Sequence, residues 1–159
     1  MKKAKKFSIS VLLTIFFFAA FFSYGKTKKE ELKYAIVVFP SGVAYTVEVA
    51  DTWEKQVKGL MFRKKLPEKG GMLFTYPKED FYYIWMKNCY IPLDILWLDS
   101  KGRIIYIIEK APPCNSDPCP SYGPMMKARY VIELKAGSVK KLNLKLGERI
   151  SIIFPSDTK

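Results

Sequence analysis

The alternation of apolar and polar positions along the chain predicts a series of short β-strands. Between residues 43 and 50, the apolar side chains Val43, Tyr45, Val47 and Val49 occupy every second position, as in a strand with one buried face. Other runs are rich in β-branched and aromatic residues and are separated by Gly and Pro turn signals. The predicted strands cover residues 34–39, 43–50, 72–76, 81–86, 93–98, 103–109, 128–134 and 149–154.

One short helix is predicted between the second and third strands. Asp51 or Thr52 can cap its start, and apolar residues follow at helical spacing. Residues 77–80 are predicted to turn the chain, and residues 99–102 to join two strands as a hairpin. Many short strands with one helix indicate a single mainly β domain, built as a β-sandwich or a barrel.

The N-terminus has the pattern of a targeting segment. Basic residues precede an apolar run at 7–22, which is short for a membrane span of about 20 residues but suits the core of a signal peptide. Ser23 and Gly25 place small residues at the −3 and −1 positions of a cut after Gly25. Both a signal peptide and an uncleaved anchor would place the domain outside the cytoplasm. The predicted organisation is a signal peptide or N-terminal membrane anchor at 1–25, a charged tether at 26–33 and the β domain at 34–155.

Composition excludes several kinds of chemistry. The sequence contains no histidine, which rules out Ser-His-Asp and Cys-His catalysis, histidine proton transfer and zinc bound by imidazole. The formal net charge is +12, and the lysines are dispersed along the chain rather than gathered in one tract. This dispersal favours a solvated basic surface, with attraction to anionic lipid headgroups or acidic envelope polymers as the alternative. We expect no nucleic-acid partner for an exported chain.

Short motifs spread over residues 47–153 are similar to those of a known family. They are GLMFR at 59–63, GMLF at 71–74, WMKNC at 85–89, IPLDI at 91–95, YVIEL at 130–134, AG at 136–137 and Gly147. With these motifs in order, the chain resembles domain-of-unknown-function family 192, whose members often follow signal peptides. The resemblance implies a β-sandwich of jelly-roll type and implies no activity, because none is assigned to the family. Cys89 is a departure, since the family more usually has Thr at that position.

Four residues in these motifs are candidates for a ligand site: Arg63, Trp85, Lys87 and Asp94. In its predicted strand Asp94 falls on an apolar face, where an unpaired charge would cost several kcal/mol. Converging charges beside an aromatic wall would suit an anionic or polyhydroxylated ligand. The alternative is structural, a partly buried Arg63–Asp94 ion pair that fixes the fold. By the same alternation, Glu133 is expected to face solvent.

The cysteines predict one disulfide bond. Cys114 and Cys119 lie in a proline-rich loop and, outside the cytoplasm, are expected to form a bridge. A redox-active or metal-binding pair is the alternative, but the spacing is not C-x-x-C and a metal needs about four ligands. Cys89 is left over and is expected to be buried. We expect no metal and no cofactor.

These features predict an extracytoplasmic binding or accessory domain of the cell envelope, whose ligand is anionic or polyhydroxylated. The partner would be an unknown ligand or an envelope protein, with membrane association through residues 7–22 if that segment is retained. One alternative is a carboxylate-based hydrolase of envelope polymers, but no second carboxylate evidently converges with Asp94, so an enzyme is not favoured. The other is a structural module that binds another protein.

Overall fold

The structure, a computed structural model, describes residues 33–155, which form a mainly β domain. The predicted targeting segment at 1–25 and tether residues 26–32 lie outside the described residues. No helix within residues 33–155 is long and apolar enough to span a membrane. Two short helices occur in this range, α1 (Trp53–Lys58) and α2 (Ser138–Leu142). The strands are β1 (Tyr34–Val38), β2 (Ala44–Ala50), β3 (Gly71–Asp80), β4 (Ile84–Trp85), β5 (Leu93–Leu98), β6 (Ile104–Ala111), β7 (Ser121–Tyr122), β8 (Ala128–Lys135) and β9 (Ser151–Ile153).

Most of these strands belong to one sheet. Its seven strands have the order β6-β5-β8-β3-β2-β1-β9, while β4 and β7 form a small second sheet. Neighbours in the large sheet are antiparallel except β2 and β3, which run parallel because α1 and the following loop carry the chain back across the sheet. The predicted hairpin is confirmed, since β5 and β6 pair around residues 99–102.

The large sheet curls until its edge strands β6 and β9 approach each other. The Ile104 N–H donates to the Glu148 carbonyl at 2.8 Å, and the Ile150 N–H donates to the Gly102 carbonyl at 2.9 Å. Gly102 has a φ of 75°, and a Cβ at this position would lie 2.4 Å from the Ile150 oxygen, so the close approach requires glycine. The result is a curled half-barrel in which one core is enclosed.

Both faces of the central strands are covered by apolar packing. All six residues of β5 are buried, so its alternate side chains enter two separate cores. Leu96 and Leu98 belong to the core enclosed by the curl. Leu93, Ile95 and Trp97 belong to the core on the other face, which β4 and the loops beside it cover. A polar side chain on either face of these strands is therefore buried.

The mainly β prediction is confirmed, and each predicted strand corresponds to an observed one. The turn predicted at 77–80 is wrong, because β3 continues to Asp80. The register with β8 shifts between Thr75 and Asp80, and Pro77 lies in this irregular stretch, where no ladder hydrogen bond is required. The sequence did not predict β7 and α2, which span two and five residues and are too short for a periodic signal.

Asp94 joins β5 to two other parts of the fold. Its exposed fraction is 0%, and it lies on the face of β5 that enters the enclosed core. Oδ1 accepts a hydrogen bond from the Lys110 N–H at 2.9 Å, and Oδ2 accepts one from the Val139 N–H at 2.8 Å. The carboxylate therefore binds backbone donors of β6 and α2 at once. The alternative Arg63–Asp94 ion pair is not formed.

Replacing Asp94 with Ala is expected to lower the free energy of unfolding by about 3 kcal/mol, because two N–H groups would lose their acceptor. Asp94→Asn should cost less, since it keeps one acceptor oxygen. Urea unfolding followed by circular dichroism measures both variants. Glu109→Gln, at an exposed carboxylate of β6, is the control and should change the free energy by less than about 0.5 kcal/mol. An Asp94→Ala variant as stable as this control would contradict the structural role.

Candidate functional site

A cavity of about 510 Å³ opens between α1, the large sheet and the segment around β4. It lies on the outer face of the sheet, which is the face opposite the enclosed core. This volume lies within the range of small-molecule sites. Most of the wall is apolar, and Gln56, Lys58 and Glu133 supply polar or charged side chains. Six aromatic side chains line it: Trp53, Phe74, Tyr76, Tyr82, Tyr83 and Trp85.

The helix α1 forms one wall of the cavity. Its start is capped by Thr52, whose Oγ1 accepts a hydrogen bond from the Lys55 N–H at 3.3 Å. Gln56 holds the helix against the sheet, since its Nε2 donates to the Thr75 carbonyl at 2.9 Å. Trp53, in the first turn, is 73% exposed and lines the mouth of the cavity.

The opposite wall consists of stacked and exposed rings. Tyr76 of β3 stacks on Tyr82, with ring centroids 3.5 Å apart and an interplanar angle of 6°. The indole Nε1–H of Trp97 donates to the Tyr82 carbonyl at 2.8 Å, which fixes the segment that precedes β4. Tyr83 and Trp85 remain 55% and 42% exposed at the mouth. The cavity thus has fixed rings inside and exposed rings at its mouth.

Among the described residues, Glu133 is the one carboxylate that lines the cavity. On β8 it pairs in register with Met72 of β3 and Ile95 of β5, both apolar, and it is only 3% exposed. Its Oε2 has no hydrogen-bond partner. Burial raises the pKa of Glu133 to about 8, although the nearby Arg63 opposes the shift. The carboxyl therefore holds its proton at neutral pH.

Arg63 does not bind Glu133, because its guanidinium is already engaged. Its Nη1 and Nη2 donate to the two carboxylate oxygens of Glu48 on β2, the second bond measuring 2.6 Å. Burial also raises the pKa of the Cys89 thiol to about 12 and holds the pKa of Tyr76 well above its usual range, with Glu133 adding to both shifts. Neither the thiol nor the phenol is ionised at neutral pH, so neither offers an anionic nucleophile.

The four predicted ligand-site residues are not brought together. Of these, Trp85 lines the cavity, whereas Arg63 binds Glu48. Asp94 lies on the opposite face of the sheet, the face that it shares with Leu96 and Leu98 in the enclosed core. The Lys87 Nζ contacts a carboxylate oxygen of Asp117 at 2.7 Å and lies 5.4 Å from the centroid of the Trp85 ring.

The disulfide loop supports the wall near β4. The Sγ atoms of Cys114 and Cys119 lie 2.10 Å apart, at disulfide-bonding distance, as the sequence predicted. The Asn88 N–H donates to the Cys114 carbonyl at 2.8 Å, and the Cys114 N–H donates to the Met86 carbonyl at 3.1 Å. These bonds fix the residues that follow Trp85. The predicted burial of the leftover Cys89 is confirmed, and this residue also lines the cavity.

The solvent-facing orientation predicted for Glu133 is wrong. Alternation correctly places Glu133 on the opposite face from Ile132 and Leu134. That face is not exposed to solvent, however, because the second core packs against it. The informative signal is the apolar pair Val131–Ile132, since adjacent apolar residues are typical of a strand buried on both faces. A lone acid within such a run is a candidate for a buried functional group.

Comparison with known proteins identifies a family and no activity. The model of family DUF192, described as "Uncharacterized ACR", matches residues 36–152. The chain is similar to a UPF0127 protein of Thermococcus gammatolerans, 31% identical over 107 residues that cover 66% of this chain and 65% of that protein. It is also similar to a UPF0127 protein of Thermococcus kodakarensis, 27% identical over 110 residues that cover 66% and 63% of the two chains. The chain thus spans less than two thirds of the length of these two relatives.

Two solved structures share the fold. One is that of a Sinorhizobium meliloti protein described as a candidate transcription regulator, with a TM-score of 0.68 and 34% identity, covering 77% of this chain and 94% of that one. The other is that of a protein of unknown function from Novosphingobium aromaticivorans, with a TM-score of 0.67 and 28% identity, covering 79% and 89%.

We expect the stability of the domain to fall as the pH rises toward 8. The folded state keeps the Glu133 proton up to a pKa of about 8, whereas the unfolded carboxyl loses it near 4.5, so the folded state binds more protons between these values. Each pH unit in this window then costs up to about 1.4 kcal/mol. Glu133→Gln should remove this contribution and be more stable than the wild type at the upper end of the window.

Urea unfolding across the window measures this dependence. Glu109→Gln is the matched control, because it removes an exposed carboxylate and should keep the wild-type slope. A slope that is the same in Glu133→Gln and in the wild type would contradict the assignment to Glu133.

Proposed function

The chain belongs to family DUF192, and we propose that its domain is an extracytoplasmic binding module whose polyhydroxylated ligand occupies the cavity at Glu133. The family name carries no activity, so the support comes from the geometry of the cavity. The observation that carries the proposal is a space of about 510 Å³ that combines six aromatic side chains with one buried carboxyl.

Aromatic rings and a protonated carboxyl suit a polyhydroxylated ligand. The apolar faces of sugar rings can pack on aromatic side chains while their hydroxyls bond to a few polar groups. With its proton bound, Glu133 both donates and accepts hydrogen bonds. An anionic ligand is disfavoured, because its charge would have to be desolvated against largely apolar walls. Of the two expected ligand classes, the geometry favours the polyhydroxylated one.

A carboxylate-based hydrolase is the weaker candidate. Glycoside hydrolysis generally uses two carboxyl groups, roughly 5 to 9 Å apart. Asp94 lies on the other face of the sheet with both oxygens bonded to backbone N–H groups. The described residues therefore offer no second acid beside Glu133 in this cavity.

A module that binds another protein is the remaining alternative. Its support is the exposure of Trp53, Tyr83 and Trp85. These side chains surround the mouth of a concave cavity, a shape that favours a small ligand over a flat protein surface.

The proposed location is outside the cytoplasm. Its support is the basic and apolar N-terminal sequence, with small residues before a cut after Gly25. A disulfide at Cys114 and Cys119 fits an oxidising compartment.

We expect saturable binding of at least one of three β-1,4-linked tetrasaccharides that differ only at carbon 2, which carries a hydroxyl, an acetamido or an amino group. Trp85→Ala should weaken this binding about tenfold, because a ring at the mouth of the cavity is lost. Isothermal titration calorimetry on the full chain gives both affinities.

Phe154→Ala is the matched control, since Phe154 is 49% exposed and lies outside the cavity wall. This variant should bind as the wild type does. No binding of any of the three tetrasaccharides, or the same loss in both variants, would contradict the proposed function.

The proposed location predicts the intact mass of the protein recovered from its own cells. Under denaturing conditions it should match residues 26–159 less the two hydrogens lost in the Cys114–Cys119 bridge. A full-length mass with the bridge would indicate an uncleaved anchor. A full-length mass without the bridge would contradict the extracytoplasmic location.

A further inference from the structure

The Glu133 carboxyl is buried in the cavity wall without full hydrogen bonding. Its Oε2 has no partner, and the side chains in register on both neighbouring strands, Met72 and Ile95, are apolar. Asp94, the other acid among the described residues that is buried to this degree, has both oxygens bonded to backbone N–H groups. An unpartnered buried acid is unfavourable, so a ligand group that complements it would stabilise the site.

We infer that the polyhydroxylated ligand carries a protonated amino group, and that this ammonium binds Glu133, which releases its proton to solvent on binding and becomes a carboxylate. The cavity then selects an aminated saccharide over a neutral one. This inference rests on the proposed function and narrows its ligand class.

Once Glu133 has released its proton, the groups around it leave the resulting negative charge for the ligand to balance. Arg63, in the loop after α1, is bonded through both terminal nitrogens to a carboxylate of β2, so this pair is close to neutral. Tyr76 on β3 and Cys89 after β4 stay uncharged, because burial raises the pKa of each. Lys58, at the end of α1, is exposed at the wall of the cavity. A positive charge supplied from within the cavity would therefore have Glu133 as its counterion.

The aromatic wall favours an ammonium over a hydroxyl. Ring faces attract cations that lie within about 6 Å of the centroid. One ring of this wall already makes such a contact, since the Lys87 Nζ lies 5.4 Å from the centroid of Trp85. A hydrogen bond from an ammonium to a carboxylate is also about twice as strong as one between neutral groups. A hydroxyl gains neither the ring attraction nor the charge assistance.

Three tetrasaccharides with one β-1,4 backbone test the inference. Cellotetraose carries a hydroxyl at carbon 2, chitotetraose an acetamido group and the fully deacetylated chitosan tetramer an amino group. By isothermal titration calorimetry at neutral pH, the full chain should bind the amino tetramer at least tenfold more tightly than the other two. Glu133→Gln keeps the size of the side chain and removes its charge. This variant should lose the preference and bind cellotetraose as the wild type does.

The calorimetry results can contradict the inference without contradicting the proposed function. Equal affinity for the amino and hydroxyl tetramers, or a preference that survives in Glu133→Gln, overturns the inference and leaves the proposed function standing. Failure of all three ligands overturns both. The comparison of ligands on the wild-type chain needs no substitution. It therefore tests the preference for an amino group even if the Glu133→Gln variant does not fold. Glu109→Gln should keep the preference, because Glu109 is exposed and does not line the cavity.

Discussion

In β3, β5 and β8, alternate side chains enter two different cores, so neither face of these strands meets water over most of their length. Any polar side chain placed there must find its hydrogen bonds within the protein. Asp94 and Glu133 lie on opposite faces of adjacent strands and meet this constraint differently. Asp94 reaches two backbone N–H groups, whereas the Oε2 of Glu133 reaches no partner. Asp94 thus stabilises the fold, whereas Glu133 destabilises it.

The lack of a partner at Glu133 matters for a possible ligand because it affects the protonation of this carboxyl. An acid held neutral by its surroundings costs stability as the pH rises, and an amide or an apolar side chain at position 133 would fill the same place in β8 without that cost. Proteins commonly keep such unfavourable groups where a ligand is bound. Arg63, whose charge opposes the pKa shift of Glu133, is itself bonded to Glu48 and does not bond to Glu133. This arrangement is the basis for proposing a ligand that brings its own positive charge.

The sequence predicted local structure well and the partners of side chains poorly. The run Leu93–Leu98 gave a strand with the observed bounds, because a continuous apolar stretch between turn signals leaves few alternatives. The prediction that Glu133 faces solvent is wrong, since alternation separates the two faces of a strand without saying whether either is solvated. The partner of Arg63 could not be found from sequence. Glu48 lies 15 residues before Arg63, and their contact depends on how the loop after α1 packs against β2, which no local pattern encodes.

The strands of the large sheet and the segments that cover it contribute different parts of the cavity. Glu133 comes from a central strand, so its position is fixed by neighbours on both sides. The rings at the mouth come instead from α1 and from the segment that includes β4. Gln56 bonds α1 to the Thr75 carbonyl of β3, and Trp97 of β5 bonds to the Tyr82 carbonyl before β4. Substitutions at exposed rings such as Trp53 alter the mouth while leaving these anchors in place. An acid at position 133 is therefore held by the sheet itself, whereas the rings at the mouth can be substituted without altering the strands that hold it.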